Sequence, residues 1–145
     1  LTDFAEEFER VRADPTLTGS IADEVIRYSS AILYFRRTVT APSTLSGTEL
    51  STGDKVVMWY ASANFDERVF DDPLAVRADR PTTPAHVAFG GGGAHFCLGA
   101  ALARLEVSLL IEEVLARNLR LDVGSPTYVD SNFVNGIEHL EVSLA

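Results

Sequence analysis

The spacing of apolar residues changes period several times along the chain, and each change marks an element. Residues 2–12 set Phe4, Phe8 and Val11 at helical spacing among Asp3, Glu6, Glu7 and Glu9, the pattern of an amphipathic helix with a solvated acidic face. Asp14-Pro15 ends it, since proline has no N–H and restricts the residue before it. Ser20 followed by Asp23 is a helix-start signal, and Ile21, Val25 and Ile26 supply the buried stripe of a second helix reaching about Ser29. The period then falls to two: residues 32–40 and 55–60 are rich in β-branched and aromatic types and flank a Thr-Gly-Asp turn, which predicts a small antiparallel sheet.

From Asn64 to Pro84 both periods vanish while aspartates and prolines accumulate; a long loop of this kind in a compact protein is usually functional. Residues 98–117 are apolar on most sides, through Leu98, Leu102, Leu105, Leu109, Leu110, Ile111 and Val114, so a buried helix is expected. Two alternating stretches, 119–123 and 140–144, read as strands with Asn135-Gly136 as the turn between them. No linker or internal repeat divides the chain, so residues 1–145 are taken as a single unit. The fold class expected is α+β, mainly helical, with small antiparallel sheets, one long loop and one buried helix.

Composition narrows the function classes. A net charge of -9, with Lys55 the only lysine, gives a field that repels phosphate backbones and anionic headgroups, so nucleic-acid binding is disfavoured. Apolar residues make up 46% and charged residues 23% of the chain, ordinary values for a globular domain. No apolar run approaches the roughly 18 residues of a membrane span, and the start lacks the features of a signal peptide. A cytoplasmic protein is expected. The opening LTDFAEEFERV reads as the middle of a helix, which suggests a piece of a longer protein.

The single cysteine, Cys97, forms no internal disulfide, and its role must be core filler, nucleophile or metal ligand. It follows four glycines, Gly90 to Gly93, and directly precedes a helix. Unpaired N–H groups and the dipole at a helix start favour thiolate over thiol. Glycines remove side chains where a flat ligand could approach the backbone, and Gly99 keeps the other side clear. Competing readings are an inert core cysteine and a nucleophile with His95 or His86 as its base. A phosphate cradle is poorly supported, because no Gly-Lys-Ser/Thr follows the glycines.

The string FGGGGAHFCLGAALARLE, residues 89–106, resembles the haem-binding loop and following helix of the cytochrome P450 family. The resemblance implies that the Cys97 thiolate is the proximal iron ligand and that His95, two residues before it, reaches a haem propionate. Phe89 stands eight residues before Cys97, one more than is usual in the family, a longer loop typical of actinobacterial hydroxylases of methyl-branched lipids and sterol side chains. Glu24 and Arg27 in DEVIRYSS match the family's Glu-x-x-Arg, whose third member is an arginine from the long loop. Arg80 fits that place best and Arg77 second. Arg37 in RTVTAPSTLSG resembles the family's propionate-binding arginine, with Arg36 as the alternative. The stretch SANFDERVFDDP resembles a further family loop, with Phe65 where a basic residue is common, a difference expected to alter surface chemistry.

What the resemblance implies is the C-terminal, haem-ligating portion of a larger monooxygenase domain, with a long meander loop and a buried helix after the cysteine. The family's oxygen-activating acid and alcohol, and the anchor of the other propionate, belong to helices that precede everything in this chain. The implied cofactor is haem (iron protoporphyrin IX). The implied partners are a ferredoxin, meeting a surface near Phe65 and Arg68, its ferredoxin reductase, and a small apolar substrate lying near residues 32–35 and 132–134. Alternatives are a truncated or split-gene remnant without haem or catalysis, and a cysteine-nucleophile hydrolase.

Overall fold

The computed structural model describes residues 5–144; Asp3 and Phe4 of the expected opening helix lie outside them. Helix α1, Ala5–Ala13, carries Glu6 and Glu7 in its first turn and Arg10 and Arg12 in its last, the charge order that complements a helix dipole. A 3-10 turn at Pro15–Leu17 follows, capped by the Asp14 carboxylate, which accepts from the Thr16 N–H. Helix α2 spans Thr18–Ser29, two residues earlier than its Ser20 signal suggested. Ser20 is not its cap: the hydroxyl donates to the Leu17 carbonyl at 3.0 Å and bonds the Ala78 carbonyl at 2.5 Å, tying the helix to the long loop. Ser30, left-handed at φ 40°, closes α2 by donating its N–H to the Ile26 carbonyl.

Strand β1, Tyr34–Thr38, pairs antiparallel with β4, Lys55–Trp59, in the register Tyr34↔Trp59 to Thr38↔Lys55. Between them lies a hairpin the sequence reading missed, β2 Ser43–Leu45 with β3 Thr48–Leu50. Ser46 and Gly47 both have positive φ, as a two-residue type I′ connection requires. Helix α3, Tyr60–Asn64, follows β4 without a break. The chain is then irregular until α4, Ala100–Ala116. At the C-terminal end two antiparallel pairs nest: β5, Leu121–Val123, with β8, Val142–Leu144, and inside them β6, Thr127–Tyr128, with β7, Ile137–His139. The Asn135-Gly136 turn expected there is a wider reversal, closed by the Val129 N–H on the Gly136 carbonyl. Asn135 instead donates its N–H to the Ala31 carbonyl and its amide to the Ser29 carbonyl, fixing this sheet to the end of α2.

The core joins α1, α2, the long loop and α4 through Val11, Ile21, Ala22, Val76, Ala78 and Ile111. The long loop therefore runs through the interior. Helix α4 departs from expectation: only Ala100, Ile111 and Val114 are buried. Leu98 is fully exposed, and Leu102, Leu105 and Leu109 are 48–58% exposed. One face meets α2 and shares the core with α1 and the long loop, while the leucines on the other side stay largely bare among the described residues. No helix among these residues is long and apolar enough to cross a membrane.

Ile21→Ala empties a fully buried position and is expected to lower the unfolding free energy by about 2–5 kcal/mol. Leu105→Gln, on the uncovered face of α4, should change it by about 0.5 kcal/mol or less in this chain. Denaturant unfolding of the two variants checks both values.

Candidate functional site

The most heavily buried charges join α2 to the long loop. Glu24 and Arg27, three residues apart on α2, form a two-point ion pair: Arg27 Nε donates to Oε2 at 2.8 Å and Nη2 to Oε1 at 2.9 Å. Arg80, from the long loop, donates Nε to both carboxylate oxygens at 2.8 and 2.9 Å. Its remaining donors reach the carbonyls of Asp71, Asp72 and Ala75, and Arg27 also donates to the carbonyls of Asn64 and Ala75. Burial pushes the Glu24 carboxyl upward, but the bonds from Arg27 and Arg80, the Arg27 charge and the Arg77 N–H together hold it below the ordinary carboxylate value. Arg77 contributes only that backbone N–H; its guanidinium pairs with Asp71 and Asp79 at the surface. Arg80, rather than Arg77, completes the cluster.

One neighbour was misjudged from sequence. Phe65 is half-buried, not a surface element: the Arg27 guanidinium lies 5.3 Å over its ring, and Tyr28 meets it edge-on at 5.3 Å. Arg68 beside it is exposed and bonded to Asp66, whose carboxyl those hydrogen bonds lower to about 2. Asn64, which sequence reasoning passed over, is completely buried. Its amide donates to Ser30 Oγ at 2.9 Å, and its Oδ1 accepts the Val87 N–H at 2.8 Å, linking α2 to the start of the glycine loop. Only its place at the end of an Ala-rich turn hinted at this.

The glycine loop has positive φ at Gly90, Gly92 and Gly93, a conformation other residues rarely adopt. It closes on itself where the Cys97 N–H donates to the Phe89 carbonyl at 3.0 Å. Cys97 is exposed and lines a cleft of about 370 Å³ with His95, Phe89, Ile32, Phe35 and Tyr60. A Cβ on Gly99 would lie 3.9 Å from Cys97 Sγ, so substitution there would bring a side chain against the sulfur. In β1, alternation puts Arg37 on the face of Phe35, and Arg36 on the opposite face with Tyr34. Arg37 is exposed, and its guanidinium donates to the Arg36 carbonyl at 3.1 Å. The two segments expected near a substrate also meet: Ile32 bridges Val134, and the Leu33 N–H donates to the Phe133 carbonyl.

The imidazoles do not support a cysteine nucleophile. His86 has both ring nitrogens engaged elsewhere, Nε2 with Asp23 at 3.2 Å and Nδ1 with the Ala88 N–H at 3.2 Å. No hydrogen bond joins either His86 or His95 to Cys97 among the described residues. Nor do these residues hold a cluster of histidine, cysteine and carboxylate side chains able to bind a metal by themselves.

The sequence profile of the cytochrome P450 family matches residues 10–135. The chain belongs to the cytochrome P450 family. It is 41% identical over 146 residues to a methyl-branched lipid omega-hydroxylase of Mycobacterium tuberculosis, covering 99% of this chain and 34% of that P450. It is 43% identical over 140 residues to a steroid C26-monooxygenase of Mycolicibacterium smegmatis, covering 94% of this chain and 34% of that one. Among solved P450 structures, CYP268A2 of Mycobacterium marinum in complex with pseudoionone superposes with a TM-score of 0.92 at 40% identity, over 99% of this chain and 34% of that one. Cytochrome P450-153 of Novosphingobium aromaticivorans gives 0.91 at 40% identity, over 99% and 36%. The chain thus spans about a third of the length of these P450s.

Glu24→Gln leaves two buried guanidiniums without their counter-charge, and is expected to destabilise the protein by about 3–5 kcal/mol. Because the folded carboxyl titrates below its unfolded value, its contribution is complete above the ordinary carboxylate range and is lost as the pH falls through the lowered value. The gap in thermal stability between wild type and Glu24→Gln should therefore be widest near neutrality and narrow in acid, as calorimetry across pH would measure.

Proposed function

We propose that this chain is the haem-ligating, C-terminal portion of a larger monooxygenase domain, with Cys97 as the iron ligand. The observation that carries this reading is the exposed Cys97 sulfur at an otherwise mainly apolar cleft, contributed by α2, β1, the glycine loop and α4. The donor set suits haem: one thiol for the iron, aromatic and aliphatic walls for a flat ring, and a backbone of Gly91 to Gly93 with open space where side chains would stand. When bound, haem supplies the oxygen activation and electron chemistry.

The chain's own residues supply the rest. Cys97 presents its exposed sulfur three residues ahead of the first residue of α4. His95 and Arg37 are the side chains assigned to the propionates. Phe89 shields the proximal loop, Gly99 keeps the approach to sulfur clear, and Glu24, Arg27 and Arg80 hold the loop from below. Ile32 and Phe35, with the Phe133 segment, form an apolar edge on which a hydrocarbon substrate would lie.

The larger domain is supported by the coverage of relatives and by the uncovered leucines of α4, which suit a helix-packing face. The substrate class favoured by the two relatives is a methyl-branched lipid or a steroid side chain, hydroxylated with O2 and electrons from a ferredoxin and its reductase. This chain alone is not expected to turn over.

Full-length protein carrying this segment, reduced and exposed to carbon monoxide, is expected to show the red-shifted Soret band of thiolate ligation, and Cys97→Ser is expected to abolish it. An unchanged band in Cys97→Ser would refute the assignment. A wild-type protein without any haem spectrum would instead identify a remnant without catalysis.

A further inference from the structure

Phe89 is held by groups that the Glu24 cluster does not use. The Arg104 guanidinium, from α4, lies over its ring with Cζ 4.8 Å from the centroid. The His86 ring stands 5.7 Å away, tilted by 55°, and Phe96 meets it edge-on at 6.5 Å. A single oxygen of Asp23, on α2, gathers the two polar neighbours: Arg104 Nε donates to Oδ1 at 2.6 Å, and His86 Nε2 faces the same atom at 3.2 Å. Since His86 Nδ1 accepts the Ala88 N–H, Nε2 is left to donate to Asp23.

The glycine loop needs such an anchor. Its glycines carry no side chains, and nothing lies within 4 Å of where a Cβ would stand on Gly91, Gly92 or Gly93. Packing within the loop therefore does not fix Cys97. The loop is fixed at its ends, and both ends lead to Asp23: the first through His86 and Phe89, the second through Arg104, two helical turns beyond Cys97. Phe89 passes the constraint on directly, because its carbonyl accepts the Cys97 N–H at 3.0 Å.

We propose that Asp23, His86 and Arg104 are positioning residues for Cys97, acting through the ring and carbonyl of Phe89. The proposal rests on the reading of Cys97 as an iron ligand. Groups of this kind, one step removed from a ligand, set its orientation and shield it from water. The cluster is separate from Glu24, Arg27 and Arg80: its carboxylate is the neighbouring residue on α2, and its arginine comes from the helix after the cysteine rather than from the long loop.

The test uses full-length, haem-loaded protein with Arg104→Met and Asp23→Asn, each made alone and in a Phe89→Leu background. Two quantities are read: the fraction of the carbon monoxide complex with the thiolate Soret band, and the rate of haem transfer to an acceptor globin. With Phe89 present, Arg104→Met should weaken haem retention about tenfold and lower the thiolate fraction. In the Phe89→Leu background the same change should have almost no further effect, as coupled residues are non-additive. Arg104→Lys, which keeps a cation above the ring, should restore part of the loss. Arg104 is partly exposed, at 39%, so Arg104→Met carries the test should Asp23→Asn fail to accumulate as folded protein. Equal effects in the two backgrounds, with wild type showing a normal thiolate band, would overturn the positioning role alone. Absence of that band from wild type would overturn the ligation reading and this proposal with it.

Discussion

A carboxylate enclosed by two guanidiniums is the constraint on which the rest of this structure depends. Glu24 sits inside the protein, where an unpaired charge would be intolerable. Its stability there requires Arg27 on its own helix and Arg80 from a loop with no regular structure. Arg80 in turn uses its other donors on carbonyls of that loop. One ionised group thus organises a stretch that hydrophobic burial alone would leave underdetermined. Val76 and Ala78, which lie between the carbonyls that Arg80 holds and Arg80 itself, reach the core.

From that pinned loop the order propagates to the cysteine. Asn64 holds the Val87 N–H and Ser30 together, so the segment leading into the glycines is registered against the end of α2. The glycines then turn freely, and the Cys97 amide closes the loop on Phe89. Hydrogen bonds at both ends of this segment act there together with the ring contacts on Phe89.

Much of this was legible in the residues. The helical spacing of Ile21, Val25 and Ile26, the alternation in 32–40 and the switch to glycine before Cys97 all reflect local physics that a sequence expresses directly. Arg80 over Arg77 followed from the order of motifs along the chain. Less legible were features that depend on partners distant in sequence. Ser20 looked like a cap because the Ala78 carbonyl it meets lies 58 residues away. Phe65 looked like a surface residue because Tyr28 and Arg27, which it packs against, belong to another element. The Ser46-Gly47 hairpin was missed because its strands are short and exposed, with no apolar face to betray their period. Helix α4 is apolar nearly all round, so its composition says that it packs on several sides without saying against what.

The leucines of α4 also govern how this polypeptide would behave in a test tube. A stripe of half-bare or wholly bare aliphatic side chains along a helix invites self-association and retention by chaperones, while a charge of -9 works in the opposite direction by mutual repulsion. The balance between those two tendencies makes colloidal behaviour depend on ionic strength, with added salt removing the repulsion and leaving the sticky surface in command.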